Sequence, residues 1–250
     1  MKRPSVKRVL VVTDNLHLLK EFKGVVSELK LKRTSFTYHF SSINKKFAQD
    51  FKKNKNFKPI DLEKEYDSVI KKFDLIISLH SKKIFPDVLV TSMRCINIHP
   101  GYNPYTRGWY PQIFAIIKNL PLGATIHEMD AKLDHGPIID RVRVPLYAWD
   151  TSLSAYNRVC GAEIALIKKN LKKIITGMYR AISMPAGGTI HYQHDFHRLR
   201  QISLSQRGTF GEHINLLRAL SHGDYKNAYF IDPTTKKKVY LKLDLYPDAE

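Results

Sequence analysis

The chain has 250 residues, 43% of them hydrophobic, a formal net charge of +18 and two cysteines, Cys95 and Cys160. This length and apolar share predict one large globular domain, or a domain with a smaller appendage, and the lack of any 18-residue apolar run excludes a membrane-spanning helix. Two cysteines are too few for a disulfide framework or a zinc site, which suits small core residues in a reducing, cytoplasmic setting, and the short run Val9–Val12 behind the basic Met1–Arg8 does not make a secretory signal.

The chain opens on a β-branched run, Val6–Thr13, that predicts a buried strand ended by Asp14. Asn15 suits a helix N-cap, and Leu19, Phe22, Val25, Val26 and Leu29 recur at helical spacing across Leu16–Leu29. A strand is predicted near Thr37–Phe40. The polar, lysine-rich stretch Lys45–Lys64 is expected to be a surface excursion. Phe73–Leu79 and Cys95–Ile98 predict two more buried strands. Alternating strands and helices give an α/β fold class with an open, mainly parallel sheet flanked by helices.

Further along, Trp109–Lys118 predicts a helix opened by a turn at Gly108, and Gly123–Met129 and Pro137–Val144 predict strands joined by a loop. Asp150, Thr151 and Ser152 signal the start of a long amphipathic helix reaching about Ile175, which makes Asp150 a cap rather than a catalyst. Pro185–Gly188 reads as a linker. It divides the chain into residues 1–184 and a smaller part, 185–250, holding a short helix at Gly211–Ser221 and a hairpin of Ala228–Ile231 and Val239–Leu245. The +18 balance attracts polyanions, nucleic acid among them, although lysine pairs are equally usual on solvated faces.

Chemistry concentrates in the run INIHPGYNPYTRGWYP, from Ile96 to Pro111. Strand alternation puts Asn97 and His99 on one face at a strand's carboxyl end, where open α/β sheets hold their ligands. An amide there can donate to a developing oxyanion, and an imidazole can polarise the same oxygen or relay a proton near neutral pH. Thr125-x-His127 follows, and then Asp134-His135-Gly136-Pro137-Ile138-Ile139. A carboxylate at Asp134 would orient the His99 ring, favour its imidazolium and help take a proton from an amine. His127 lies on a strand beside the site and reads either as a satisfied core histidine, the favoured reading, or as a catalytic group. His191, His194 and His197 lack the cysteine or His-Glu-x-x-His context of a zinc site, so no metal is predicted.

The ordered set N-x-H-P, R-G-x-x-P, T-x-H and D-x-G-P-I-I resembles the folate-dependent formyltransferases, a superfamily with a Rossmann-like sheet, over Lys7–Ile175. The runs His99–Phe114 and Leu216–Asp232 look like the sugar N-formyltransferases among them, which act on dTDP-4-amino-4,6-dideoxyhexoses for bacterial O-antigen. The resemblance implies that Asn97, His99 and Asp134 are catalytic and that N10-formyltetrahydrofolate is the formyl donor. It places Lys82, Lys83, Ile84, Phe85, Met129 and Asp130 around the folate. Asp14, Asn15, Tyr102, Asn103, Arg107, Gly108 and Trp109 are placed around the nucleotide sugar, with Tyr225 stacked on the thymine. Core packing is the plain alternative for Ile84, Phe85, Met129 and Trp109, and a turn with a helix cap for Asp14 and Asn15. The resemblance also implies a homodimer through the C-terminal hairpin, with no nucleic-acid or membrane partner.

The acceptor position, C4 or C3, stays open. One competing reading is a methionyl-tRNA formyltransferase, which the charge would suit; too few residues follow the linker for that subfamily's tRNA-binding barrel. Another is a non-enzymatic basic module binding nucleic acid through Lys45–Lys64 and Lys236–Lys238, although no known nucleic-acid motif is present.

Overall fold

Short β-branched runs become buried strands and the helical periodicities become their cover. The computed structural model describes residues 6–248, so most of the basic start lies outside the described residues. The first half holds β1 (Arg8–Thr13), α1 (Leu16–Glu28), β2 (Ser35–Ser41), α2 (Lys45–Asp50), β3 (Phe57–Ile60), α3 (Leu62–Lys72), β4 (Leu75–Leu79), α4 (Asp87–Ser92) and β5 (Cys95–His99). There follow β6 (Thr106–Gly108), α5 (Pro111–Lys118), β7 (Leu122–Glu128), β8 (Ile138–Val144) and α6 (Ser152–Thr176). The chain ends in β9 (Thr189–His191), α7 (Gln193–Arg200), α8 (Phe210–Leu220), β10 (Ala228–Ile231) and β11 (Lys238–Leu241).

Seven strands form one sheet in the order β3-β2-β1-β4-β5-β7-β8. It is parallel from β3 to β5, and β7 and β8 are added antiparallel. The chain winds outward from β1 through β2 and β3, then crosses back to lay β4 on the other side of β1. Such a switch point opens a crevice at the carboxyl ends of the strands. Asp14, Asn15 and His80 end β1 and β4 at that crevice, and neighbouring β5 delivers Asn97 and His99. One face of the sheet packs on α1, α5 and α6, with Leu18, Phe22, Ile116, Leu166 and Ile167 in one buried cluster. The other face packs on α3 and α4, through Leu62, Val69 and Leu89.

The stretch Lys45–Lys64 is not a surface excursion. It forms α2, the edge strand β3 and the start of α3. Its lysines stay exposed, while Phe47, Phe51 and Phe57 turn in on Phe40, with ring centroids 5.1 to 6.4 Å apart. Burying each ring contributes about 2 kcal/mol, and the lysines face water at no comparable cost.

At the other end, α6 is capped by Thr151, in a reciprocal capping box with Ser154, and stops at Gly177 with φ 69. Asp150 sits just ahead of that cap, buried and paired with Arg158 at 2.8 Å. Just past Pro185–Gly188, β9 pairs in parallel with β6, Thr106 opposite Thr189. Helix α7 escaped the sequence reading because, of its residues, only Phe196 is buried, which leaves no apolar period. Strand β11 is shorter than expected and stops at Leu241. Both cysteines are free and buried. No helix among the described residues is long and apolar enough to cross a membrane.

Candidate active site

A cleft of about 330 Å³ opens over the carboxyl ends of β1, β4 and β5. Strand β5 ends in Asn97 and His99, and antiparallel β7 sets His127 directly opposite Asn97. The loop from β7 to β8 adds Asp134, held at φ 46, a left-handed conformation uncommon outside glycine. Asp134 Oδ1 accepts from Asn97 Nδ2 at 2.8 Å and lies 3.5 Å from His127 Nε2. Its Oδ2 accepts from the Gly108 backbone N–H at 2.9 Å and lies 3.4 Å from His99 Nδ1. Burial alone would raise this carboxyl. The charge of His99, the hydrogen bond and charge of His127 and the Gly108 N–H outweigh it, and hold Asp134 well below the usual carboxylate range.

His99 Nε2 lies 2.9 Å from the Thr106 carbonyl, which can only accept, so Nε2 carries a hydrogen. The proton that titrates is therefore the one on Nδ1, between the ring and Asp134. Burial pushes the imidazole down, against the opposing pull of Asp134 and the Thr106 carbonyl. Gly101 makes the Thr106 contact possible: a Cβ there would lie 2.3 Å from the Thr106 oxygen and 2.4 Å from His99 Nε2. His127 donates through Nδ1 to the Glu128 carbonyl at 2.7 Å, which leaves Nε2 facing Asn97 and Asp134.

The opposite wall comes from β4, α1 and α6. His80 ends β4 at φ 58, and its Nε2 lies 2.9 and 3.0 Å from the two carboxylate oxygens of Glu163. Its Nδ1 lies 3.2 Å from Tyr156 Oη, which in turn accepts from Asn15 Nδ2 at 2.8 Å. Asn15 also caps α1, its Oδ1 accepting from Leu18 N at 3.1 Å. Burial pushes the Tyr156 hydroxyl far up, so it stays a neutral phenol.

Of the residues singled out in the sequence, Asp14, Asn15, Lys82, Lys83, Ile84, Phe85, Asn97, His99, Gly108, Trp109, Met129, Asp130 and Asp134 line the cleft. Asp14 is occupied as a rim organiser: its carboxylate accepts from Ser41 Oγ at 2.5 Å, Asn44 Nδ2 at 2.8 Å and Lys82 N at 2.7 Å. Lys83 is bound to Asp61 and Glu63 at 2.9 and 3.0 Å, and Asp130 to His135 at 2.7 Å. Ile84 is 64% exposed on the rim.

Four residues placed around the nucleotide sugar do not line the cleft. Tyr102 lies beneath Arg141, 4.6 Å from the guanidinium. Asn103 is fully buried and holds the Asp134 loop from behind, Nδ2 to the Asp134 carbonyl at 3.0 Å. Arg107 turns its Nε into the protein, where it makes no hydrogen bond among the described residues. Tyr225 is 74% exposed beside His222, their rings 5.7 Å apart. Nor is Gly108 an anion-binding helix start: its N–H is bound to Asp134, and α5 begins at Pro111.

Sequence reasoning missed His80, Tyr156 and Glu163 as site residues and favoured the core reading of His127. One signal was present. Glu163 falls in the apolar stripe of α6 between Val159, Cys160, Leu166 and Ile167, a place that rejects a charge unless it has a partner. No cluster of three or more His, Cys, Asp or Glu placed to hold a metal occurs among the described residues.

Residues 22–171 match the formyl transferase family, and residues 195–247 match the N-formyltransferase dimerization C-terminal domain. The chain is 42% identical over 188 residues to dTDP-4-amino-4,6-dideoxyglucose formyltransferase of Mycobacterium tuberculosis, covering 75% of this chain and 80% of that one. Its structure is similar to a 4-N formyltransferase from Francisella tularensis, with TM-score 0.90 and 40% identity over 97% of this chain and 99% of the other. It is also similar to the formyltransferase PseJ from Anoxybacillus kamchatkensis, solved with UDP-4,6-dideoxy-4-formamido-L-AltNAc and tetrahydrofolate. There the TM-score is 0.58 and the identity 26%, over 76% of this chain and 88% of the other.

Proposed function

The chain belongs to the formyl transferase family, and on that premise we propose that it moves a formyl group from N10-formyltetrahydrofolate to the C4 amine of a dTDP-4-amino-4,6-dideoxyhexose, with the glucose-configured sugar as substrate. The observation that carries the reading is the convergence of Asn97, His99 and Asp134 in one cleft. The relatives named for a 4-amino sugar support the acceptor, and the relative solved with tetrahydrofolate supports the donor.

In the reaction the amine nitrogen bonds to the formyl carbon, the bond from that carbon to the donor nitrogen breaks, and one proton passes overall from amine to donor nitrogen. Beyond the amide hydrogen on Asp134, Asn97 holds its second in a long contact with His127 Nε2 at 3.4 Å, and this weakly held hydrogen turns to the oxyanion. Negative charge developing beside His99 favours the proton on its Nδ1, where Asp134 balances it. Asp134 acts as the fixed anchor of the group: both its oxygens are occupied and it is too weak a base to keep a proton. Ile84, Phe85, Met129 and Leu133 suit a flat heterocycle, and exposed Lys82 suits the glutamate end of the donor.

The same reading makes residues 1–184 the catalytic part and 185–250 the assembly part of a homodimer. The isolated β10–β11 hairpin and the exposed Phe210, Leu204 and Tyr246 suit cover by a second copy. It places the reaction in the cytoplasm, with formamido sugar supplied to O-antigen. Neither metal nor nucleic acid nor membrane takes part. The test is incubation with N10-formyltetrahydrofolate and dTDP-4-amino-4,6-dideoxyglucose, following tetrahydrofolate release and product mass. The formamido sugar is expected. Failure to formylate any dTDP-amino sugar would overturn the reading, and product from a 3-amino sugar alone would move the acceptor position.

A further inference from the structure

We propose that Tyr156, His80 and Glu163 form a proton relay that strips the acceptor's ammonium group before attack. The proposal rests on formyl transfer to an amine, as read above. An alkyl amine is largely protonated near neutral pH, and only the neutral form has a lone pair for the formyl carbon.

On the wall that carries Asn97 and His99, the open ring nitrogens, His99 Nδ1 and His127 Nε2, turn toward Asp134 rather than into the cleft, so they serve the charge that develops in the transfer and not the ammonium proton. Asp134 has both oxygens occupied. His99 gives Nε2 to the Thr106 carbonyl and turns Nδ1 to Asp134. His127 gives Nδ1 to the Glu128 carbonyl and turns Nε2 to Asn97 and Asp134.

On the opposite wall each hydrogen bond fixes the direction of the next. Asn15 Nδ2 can only donate, so Tyr156 Oη accepts there and passes its own hydrogen to His80 Nδ1. His80 Nδ1 is then an acceptor, so Nε2 carries the ring hydrogen and donates to Glu163. The remaining partner of Tyr156 Oη is the buried Cys160 thiol, a weak donor that an ammonium displaces, and Asn15, His80 and Tyr156 all line the cleft. In the step, the ammonium gives a proton to Tyr156 Oη as the Tyr156 hydrogen moves to His80 Nδ1. The products are a neutral amine, an unchanged phenol and an imidazolium held by Glu163.

Glu163 is fully buried, and its hydrogen bonds among the described residues are both to His80. A lone carboxylate there is costly, and a proton arriving on His80 offsets that cost. The titratable groups on His80 are Tyr156 and Glu163 from α6; Cys160 bears on both of these, His99 couples to Glu163, Asp14 and Lys82 share the cleft lining, and His222 lies behind the Tyr156 ring. His80 bears a left-handed backbone, φ 58, at a strand end beside the site, where such conformations gather. Tyr156 is the residue that touches substrate; His80 and Glu163 are positioning residues acting through it.

The test is the rate of formyl transfer by the full chain and by Tyr156→Phe, from pH 6.5 to 9.5, with whichever amine the wild type formylates. Wild-type turnover of the dTDP-4-amino sugar, scored first, judges the reading above; the variant ratio judges the relay. At pH 7, kcat of Tyr156→Phe is expected to fall about 10²-fold, with KM values little changed. The gap should close to about threefold at pH 9.5, where the amine is neutral without help. Glu163→Gln, which removes the carboxylate that accepts the His80 Nε2 hydrogen, should lower kcat at pH 7 by about 10-fold, with the gap closing toward pH 9.5 as it does for Tyr156→Phe. A defect of equal size at every pH, or a wild-type rate in Tyr156→Phe at pH 7, would overturn the relay. If Glu163→Gln does not fold, the Tyr156→Phe ratio decides alone.

Discussion

The two walls of the cleft are built in opposite ways. Asn97, His99, His127 and Asp134 come from one strand, its neighbour and the loop that follows that neighbour, within a single short stretch of chain. Asn15, His80, Tyr156 and Glu163 come from three elements spread over most of the catalytic part, joined only by the crossing of β1 to β4 and the docking of α6. Both walls are ordered hydrogen-bond networks around a buried carboxylate. They differ in how far apart the chain must bring the partners together. A compact wall leaves a motif in the sequence; a dispersed one leaves single residues that each look ordinary.

The comparison would break first at His99. If the compact wall is where the formyl carbon reacts, His99→Asn should lower kcat by about 10²–10³-fold and leave the circular dichroism spectrum unchanged. An undiminished rate would remove His99 from the chemistry and hand the reaction to the other wall. Double substitution with Tyr156→Phe sharpens the point, because walls that serve one step combine non-additively.

How much was legible follows the same line. The parallel sheet, α1, α6 and the trio were readable because each rests on local pattern: β-branched runs, helical spacing, and N-x-H-P at a strand end. The aromatic cluster under Lys45–Lys64 was hidden because its phenylalanines are outnumbered by solvated lysines in any window. Tyr102, Asn103 and Arg107 share a run with His99 but serve the loop behind it: β6 and its loop turn their side chains away from the cleft. His80 was legible as a strand end yet not as a partner of Glu163, since no spacing rule links residues on β4 and α6. A charged residue in the apolar stripe of α6 was the signal available, and it names a need rather than a partner.

The compact wall also has one distant brace, and acid should loosen it. Strand β9 pairs with β6, whose Gly108 N–H holds Asp134, and His191 of β9 stacks on Phe114 with centroids 3.6 Å apart. Burial pushes the His191 imidazole down to about 4. The unfolded chain takes up this proton near pH 6.5 and the folded chain only near 4. Stability is therefore full above pH 6.5 and is lost as pH falls through that window, with no further loss from this group below it. The expected share is on the order of 2–3 kcal/mol, read as the difference in urea-unfolding free energy between pH 7 and pH 4.5. His191→Phe should remove that share of the acid sensitivity. A variant with the wild-type slope would show that β9 does not brace the wall through a neutral histidine.

The smallest effects belong to the rim where the walls meet, in the loop that follows His80. Lys82 and Lys83 are adjacent, but their ammonium groups have different circumstances. Lys83 Nζ is bound between Asp61, the cap of α3, and Glu63, whereas Lys82 is exposed with no salt bridge among the described residues. A partly exposed bridge is worth less than about 1 kcal/mol, so Lys83→Ala should barely move the unfolding midpoint. It should also leave the KM for a triglutamylated donor within about twofold, because the charge it removes is already balanced. Lys82→Ala should raise that KM about threefold at low salt and by nothing measurable at 1 M, where charges this exposed are screened. A larger effect from Lys83 than from Lys82 would mean that the donor's tail displaces Asp61 and Glu63 on binding. The rim would then be a moving part, and the relay residue His80, three positions before Lys83, would sit at its hinge.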